Sequence, residues 1–288
     1  METGLKSKLL YKKDIIDEQV LTEPATLDVV LQHDKITALV SSAGFPISLI
    51  SYELHTQQVV DLKEIWSTWQ EDETHIFAKQ YALTRLCFLD SAMLWFPKNL
   101  AVDEQHENLS HIYTGLFPKE HIQTEILLHE VSEYTLVQQV PSFWKMMFPQ
   151  ATYMHSYNIA EICAKNIDAA VNNHFLIIIS EKVASIYWLK NKEIKLGNTY
   201  YYQVEDDIFY HLFNICNQFG IAYQKANVRI LYQTENFLKL NRMLETYFND
   251  VSDVFENDLP YHDLLNYSAA KNNQLILLQA FQSDDKEN

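Results

Sequence analysis

The chain has 288 residues, 48% hydrophobic and 13% aromatic, enough to bury one large core or two medium ones and too apolar for disorder over most of its length. A formal net charge of −16 sets it against phosphate backbones and anionic lipid, so neither nucleic acid nor a membrane surface is an expected partner. With only 5 glycines, the chain is poor in the residue that lets backbone N–H groups close on phosphate.

In chain order, residues 1–25 mix charge with Ile and Leu without a period and read as an arm. Its Lys6, Lys8, Lys12 and Lys13 read as a solvated face. The first twenty residues carry charges where a signal peptide needs an apolar core. Residues 27–31, 35–40 and 46–52 are short β-branched runs broken by turn residues, which predicts a three-stranded meander. Leu62, Ile65, Trp66 and Trp69, with Ile76 as an extension, share one face of a helix that Asp61 can cap. Residues 83–89 and 92–96 read as a hairpin around Asp90-Ser91, ended by Pro97. Residues 98–123 are mixed, with Leu109, Ile112 and Leu116 near helical spacing. A strand pair is expected at 125–130 and 134–140, then a short helix over 142–148 stopped by Pro149.

The order then repeats. Residues 158–171 are helical, and 175–180, 183–189 and 194–202 form a second meander. A helix is expected over 205–219 with acidic residues at its start and Gly220 after its end. A strand at 228–232, a helix at 237–248 and a strand at 251–255 follow. A helix at 264–270, a last strand at 274–281 and a disordered tail from Ser283 complete the reading. The longest apolar run, residues 175–179, is too short to span a bilayer. Two meanders, each followed by helices and strands, form a repeat of pattern with no letter-for-letter identity. Each matches a ribonuclease H-like half, and two such halves make the actin-like ATPase fold. The expected domains are residues 1–150, a first lobe with its arm, and 151–288, a second lobe with a short tail.

From about Leu27 to Leu278 the chain resembles a family of uncharacterised bacterial proteins with an actin-like ATPase fold. The resemblance is carried by Leu94-Trp95-Phe96-Pro97-Lys98-Asn99-Leu100, an apolar step to Pro before a helix, and by Val140-Pro141 and Phe148-Pro149 before His155. It continues through Gly197-Asn198-Thr199-Tyr200-Tyr201-Tyr202 and Asp206-Asp207-Ile208-Phe209-Tyr210. Where related chains carry Gly after the strand Arg229-Ile230-Leu231, this one has Tyr232-Gln233. The resemblance implies a fold and no activity.

An actin-like ATPase cradles phosphate in two Asp-x-Gly strand turns and a further Gly-Gly turn, because a Cβ blocks the approach of backbone donors. The corresponding stretches here are Leu31-Gln32-His33-Asp34-Lys35, Ile179-Ser180-Glu181-Lys182 and Tyr232-Gln233-Thr234-Glu235-Asn236, all without Gly. Glu181 and Glu235 would repel an anionic ligand. Asp206-Asp207 point about 100° apart on a helix and read as cap and dipole partners rather than a catalytic pair. His106 and His111, near Glu104, Glu107 and His121, are five apart and miss the i, i+4 spacing of zinc helices. His155, His174 and His211 are scattered singles. Cys87, Cys163 and Cys216 have apolar flanks and read as inert thiols in a reducing, cytoplasmic compartment. No Gly-x-Ser-x-Gly elbow occurs.

These readings give a non-catalytic binding or scaffold protein on a degenerate actin-like ATPase fold, with no catalytic, cofactor or metal residue assigned. Its partner is expected to be a protein, with interaction anchors at Trp66, Trp69 and Tyr201. The alternatives are a nucleotide-binding switch or ATPase-related enzyme that uses the interlobe cleft with altered loops, and a structural subunit assembling through aromatic surface.

Overall fold

The computed structural model describes residues 7–14, 25–32, 35–42, 45–55, 59–73, 80–89, 93–97, 124–131, 134–166, 171–180, 183–232 and 238–253. The chain divides into two compact units, Met1–His155 and Ser156–Asn288. The strands and helices expected within 98–123 and beyond 253, the tail included, lie outside the described residues. Among the described residues, no helix is long and apolar enough to cross a membrane.

The first unit opens with β1 (Ser7–Asp14), β2 (Ala25–Leu31), β3 (Lys35–Ser42) and β4 (Phe45–Leu54), followed by helix α1 (Val59–Asp72) and β5 (Leu83–Phe88). Then come β6 (Met93–Pro97), β7 (Thr124–Val131), β8 (Tyr134–Pro141), helix α2 (Ser142–Met147) and β9 (Thr152–His155). Six strands form one sheet in the order β1-β4-β3-β2-β5-β9, with β5 parallel to both of its neighbours. One face of this sheet buries Leu27, Val29, Leu31, Ile36, Ala38 and Leu86 against Leu62, Ile65, Trp66 and Trp69 of α1. Each Leu, Ile or Val among them contributes about 1.5–3 kcal/mol when fully buried.

The meander matches the sequence reading, but the next pairing does not. Residues 83–89 and 92–96 do not form a hairpin: β5 lies between β2 and β9, while β6 joins β8 and β7 in a separate antiparallel sheet. Strand β5 is buried along its length from Arg85, which suits a strand with parallel neighbours on both sides better than a hairpin arm. The segment read as an arm contains β1, which pairs antiparallel with β4.

The second unit contains helix α3 (Ser156–Asn166), β10 (Asn173–Ile179), β11 (Val183–Lys190), β12 (Glu193–Tyr201) and helix α4 (Glu205–Phe219). A turn of 3₁₀-helix (Tyr223–Lys225) leads to β13 (Ala226–Tyr232), helix α5 (Leu238–Tyr247) and β14 (Asp250–Asp253). Its sheet runs β12-β11-β10-β13-β14, with β13 parallel to both neighbours. Helices α4 and α5 cover one face through Ile208, Leu212, Ile215, Leu240 and Leu244. On the other face α3 packs on β10, β11 and β12, and Ser156 Oγ shares a 2.7 Å hydrogen bond with the Tyr187 hydroxyl.

The two units repeat one another strand for strand. The core order β4-β3-β2-β5-β9 is matched by β12-β11-β10-β13-β14. Across the meanders the residues correspond at a constant offset of 148, residue 179 standing for 31, 184 for 36 and 199 for 51. The bulge that shifts register between Val40 and Ser41 recurs between Trp188 and Leu189, their counterparts. A cross-strand hydroxyl pair recurs as well: Thr37 to Ser51 and Ser185 to Thr199, each at 2.9 Å.

Candidate functional site

The two first hairpins occupy the positions where the sequence reading looks for phosphate turns. Both span four residues between the last paired positions, Leu31 with Ile36 and Ile179 with Ala184. Each is closed by the same backbone bond: Gln32 N–H donates to the Lys35 carbonyl at 2.8 Å, and Ser180 N–H to the Val183 carbonyl at 2.9 Å. In the second turn the Ser180 hydroxyl also donates to the Val183 carbonyl at 3.2 Å, and the Tyr202 hydroxyl donates to the Ser180 carbonyl. The N–H, hydroxyl and carbonyl of Ser180 are therefore all engaged inside its own unit. The tips, His33-Asp34 and Glu181-Lys182, and the third stretch from Gln233 lie outside the described residues.

The structure places two of the three expected anchors in the core. Trp66 is 6% exposed and Trp69 2%, within an aromatic cluster that includes Tyr52, Trp144 and Phe148. Their spacing of three puts them on one helical face, and that face is the one α1 turns to the sheet. Tyr201, at the end of β12, is 55% exposed. It stands near Val204 in sequence, also 55% exposed, and α4 adds Tyr210 at 65% and Phe219 at 48%. The His211 ring stacks on Tyr200 at 4.0 Å and lies 5.5 Å from Tyr210. Burial holds the His211 imidazole below its usual range, partly opposed by the Asp207 carboxylate. Tyr210 and Phe219 were not singled out from the sequence, because a ring on a helix shows its exposure only once the buried stripe is fixed.

The carboxylates at the start of α4 are structural. Asp207 accepts the backbone N–H groups of Gln203 and Val204 at 2.9 and 3.1 Å, which pulls its carboxyl below the ordinary aspartate value. Asp206 accepts from Lys239 Nζ at 2.7 Å, and Glu205 accepts the N–H of Leu240 in the first turn of α5. Together they fix α5 beside α4.

All three thiols are free and buried, and burial raises Cys163 and Cys216 to about 12 and Cys87 further still, so none is a thiolate at neutral pH. His155 is fully buried, and His174 Nε2 lies 3.0 Å from the Val171 carbonyl. His106, His111 and His121 lie outside the described residues, and among those described no group of three His, Cys, Asp or Glu is placed to hold a metal ion.

A family model described as a protein of unknown function, DUF3822, matches residues 33–251. The chain is similar to a solved protein of Bacteroides thetaiotaomicron VPI-5482 described as having an actin-like ATPase fold and unknown function. The TM-score is 0.71 at 13% identity, over 93% of this chain and 99% of that one. It is also similar to a chain of the PilM-PilN type IV pilus biogenesis complex, with TM-score 0.51 and 10% identity over 89% and 96% of the two chains. No curated protein matches it. These likenesses establish the actin-like ATPase fold, with its mixed α/β sheets.

Proposed function

The chain belongs to the DUF3822 family, and from that premise we propose that it is a non-catalytic binding or scaffold protein whose actin-like phosphate turns are degenerate. The observation that carries the reading is the closure of the second turn, where the N–H, hydroxyl and carbonyl of Ser180 are engaged locally. A phosphate turn works by aiming consecutive backbone donors at the ligand. Here the first donor is turned back on its own hairpin in both units, and neither turn has a Gly in sequence. The repeated strand order supports reading the units as two ribonuclease H-like lobes. We place these lobes on the compact units, which moves their boundary from Gln150 to His155.

Binding to another protein is the use we assign to this frame. Exposed rings on the second unit supply the surface, and the PilM-PilN complex includes a chain of similar fold. The three buried free thiols support a reducing compartment such as the cytoplasm. The test is thermal melting of the purified protein with millimolar Mg-ATP. A nucleotide at 100 times its Kd adds about 2.7 kcal/mol to stability, a shift that melting resolves. No shift is expected. A saturable shift would replace this reading with that of a nucleotide-binding switch.

A further inference from the structure

Helix α5 carries two stripes of side chains. Leu240 and Leu244 are fully buried in the core of the second unit. Beside them Lys239, Arg242, Met243, Thr246 and Tyr247, spaced by threes and fours, line a cavity of about 560 Å³. That volume lies within the range of ligand sites. The helix is fixed at its first turn, where Glu205 accepts the Leu240 N–H and Asp206 accepts from Lys239 Nζ at 2.7 Å.

We propose that this cavity binds an acidic segment of a partner protein, which sets a carboxylate on Arg242 and an apolar neighbour against Met243 and Tyr247. The proposal deepens the protein-binding reading above and rests on it. Its first support is the state of Arg242. The chain has three arginines. Arg85 and Arg229 are each committed to a carboxylate of their own unit, Asp28 and Asp250. Arg242 is exposed, and among the described residues its guanidinium makes no hydrogen bond or ion pair. A guanidinium is a planar fork of donors shaped for a carboxylate.

The second support is charge. The lining holds two cations and no carboxylate, in a chain of net charge −16. Lys239 is already answered by Asp206, and the exposed Glu245 stands three residues from Arg242 on the same helix. This balance suits one incoming carboxylate rather than a polyanion. The net charge also opposes nucleic acid and an anionic lipid surface.

The third support is the apolar part of the lining, which a small anion would leave uncovered. Tyr247 is 41% exposed, and its ring is braced by Phe209 and Phe213 at 5.4 and 5.2 Å. A braced tyrosine is a good interface anchor, and the half-buried Met243 adapts to the shape of what meets it. The Thr246 hydroxyl donates to the Arg242 carbonyl at 2.7 Å, so its proton is not offered to a ligand. A carboxylate side chain next to an apolar one on the same segment covers both parts of the lining.

The experiment uses the full chain and the fluorescein-labelled peptide Glu-Asp-Leu-Phe-Glu-Asp, followed by fluorescence anisotropy. Saturable binding is expected, weakened by salt. The peptides Gln-Asn-Leu-Phe-Gln-Asn and Glu-Asp-Ser-Ser-Glu-Asp should each bind at least about tenfold more weakly, the first for want of charge and the second for want of apolar surface. Arg242→Gln should lose at least about tenfold in affinity, and Arg242→Lys should fall between, keeping the charge without the fork. Neither change should move the melting temperature, since the Arg242 side chain has no ion pair or hydrogen bond to lose. Lys190→Gln, at an exposed cation on β11 outside the cavity, should bind as the parent does. The proposal is overturned by no saturable binding at millimolar peptide, or by binding that Arg242→Gln leaves unchanged. Displacement of the peptide by acetate at equal concentration would make this a small-anion site and overturn it too. So would a peptide-free dimer that protects the α5 amides from hydrogen exchange, since a second copy would then be the occupant. A melting shift with Mg-ATP that persists in Arg242→Gln would sink the nucleotide-free reading and leave this site standing, whereas absent peptide binding would sink this site alone.

Discussion

Arg85 and Arg229 stand at the same place in the two units, one opposite Asp28 and the other opposite Leu176, which is the counterpart of Asp28. The consequence is two different ion pairs. Arg85 donates Nε and Nη2 to the two oxygens of Asp28 at 2.6 and 2.9 Å, with side-chain exposures of 7% and 0%. Arg229 turns instead to Asp250 at 2.6 Å, with exposures of 28% and 47%. Arg85→Ala strips a buried carboxylate of its bidentate partner and is expected to cost about 3–5 kcal/mol in urea unfolding. Arg229→Ala at the matching position is expected to cost less than about 1 kcal/mol. Equal losses would mean that burial does not set the difference. At this scale the sequence disclosed the character of the cysteines and of Asp206-Asp207, because flanking residues and helix position decide those. It did not disclose Asp28–Arg85, since a pair 57 residues apart becomes a contact only through the parallel pairing of β2 and β5.

Helix α4 is the element the sequence described most fully, from its acidic first turn to Gly220. Gly220 sits at φ 62°, ψ 34°, and its neighbour Ile221 donates its N–H to the Cys216 carbonyl, which closes the helix end. A Cβ added there would meet nothing within 4 Å, so Gly220→Ala is expected to cost about 1 kcal/mol from backbone conformation alone. A larger loss in chemical denaturation would point to a contact instead. At the other end, the depressed carboxyl of Asp207 makes helix stability depend on pH. A carboxyl whose folded value lies below its unfolded value stabilises fully above the unfolded value, and that contribution is lost as pH falls through the folded value. Asp207→Ala should therefore be less stable than the parent at pH 7, with a gap that closes below the ordinary aspartate range of about 3.9. A gap independent of pH would assign the effect to helix propensity. Strands β1 and β9 escaped the sequence reading for different reasons. The first carries charge with no alternation, and the second has four residues, Thr152–His155, too few to show a period. The mistaken hairpin of residues 83–96 came from taking neighbours in sequence as neighbours in the sheet.

At the scale of the whole molecule the duplication was legible as an order of elements and not as letters. What persists between the units is register, bulge and a hydroxyl pair in which Thr and Ser exchange places, and none of these needs residue identity. Each unit also has its own core. One is built on Leu27, Val29, Leu86 and the tryptophans of α1, and the other on Phe175, Ile177, Leu212 and Leu240, with no residue shared. Separate cores predict separate cooperative transitions, because the cost of a cavity is borne by the unit that contains it. Trp69→Ala is expected to destabilise the first unit by about 3–5 kcal/mol, and Leu212→Ala the second by about 2–5 kcal/mol. Of the five tryptophans, only Trp188 lies in the second unit, so tryptophan fluorescence reports chiefly on the first. Hydrogen exchange during urea unfolding reads both. Trp69→Ala should lower the midpoint for amides of β2, β3 and β5 and leave those of β10, β11 and β13 in place, while Leu212→Ala should do the reverse. If either substitution moves all six strands together, the two units fold as one cooperative body and their division has no thermodynamic meaning.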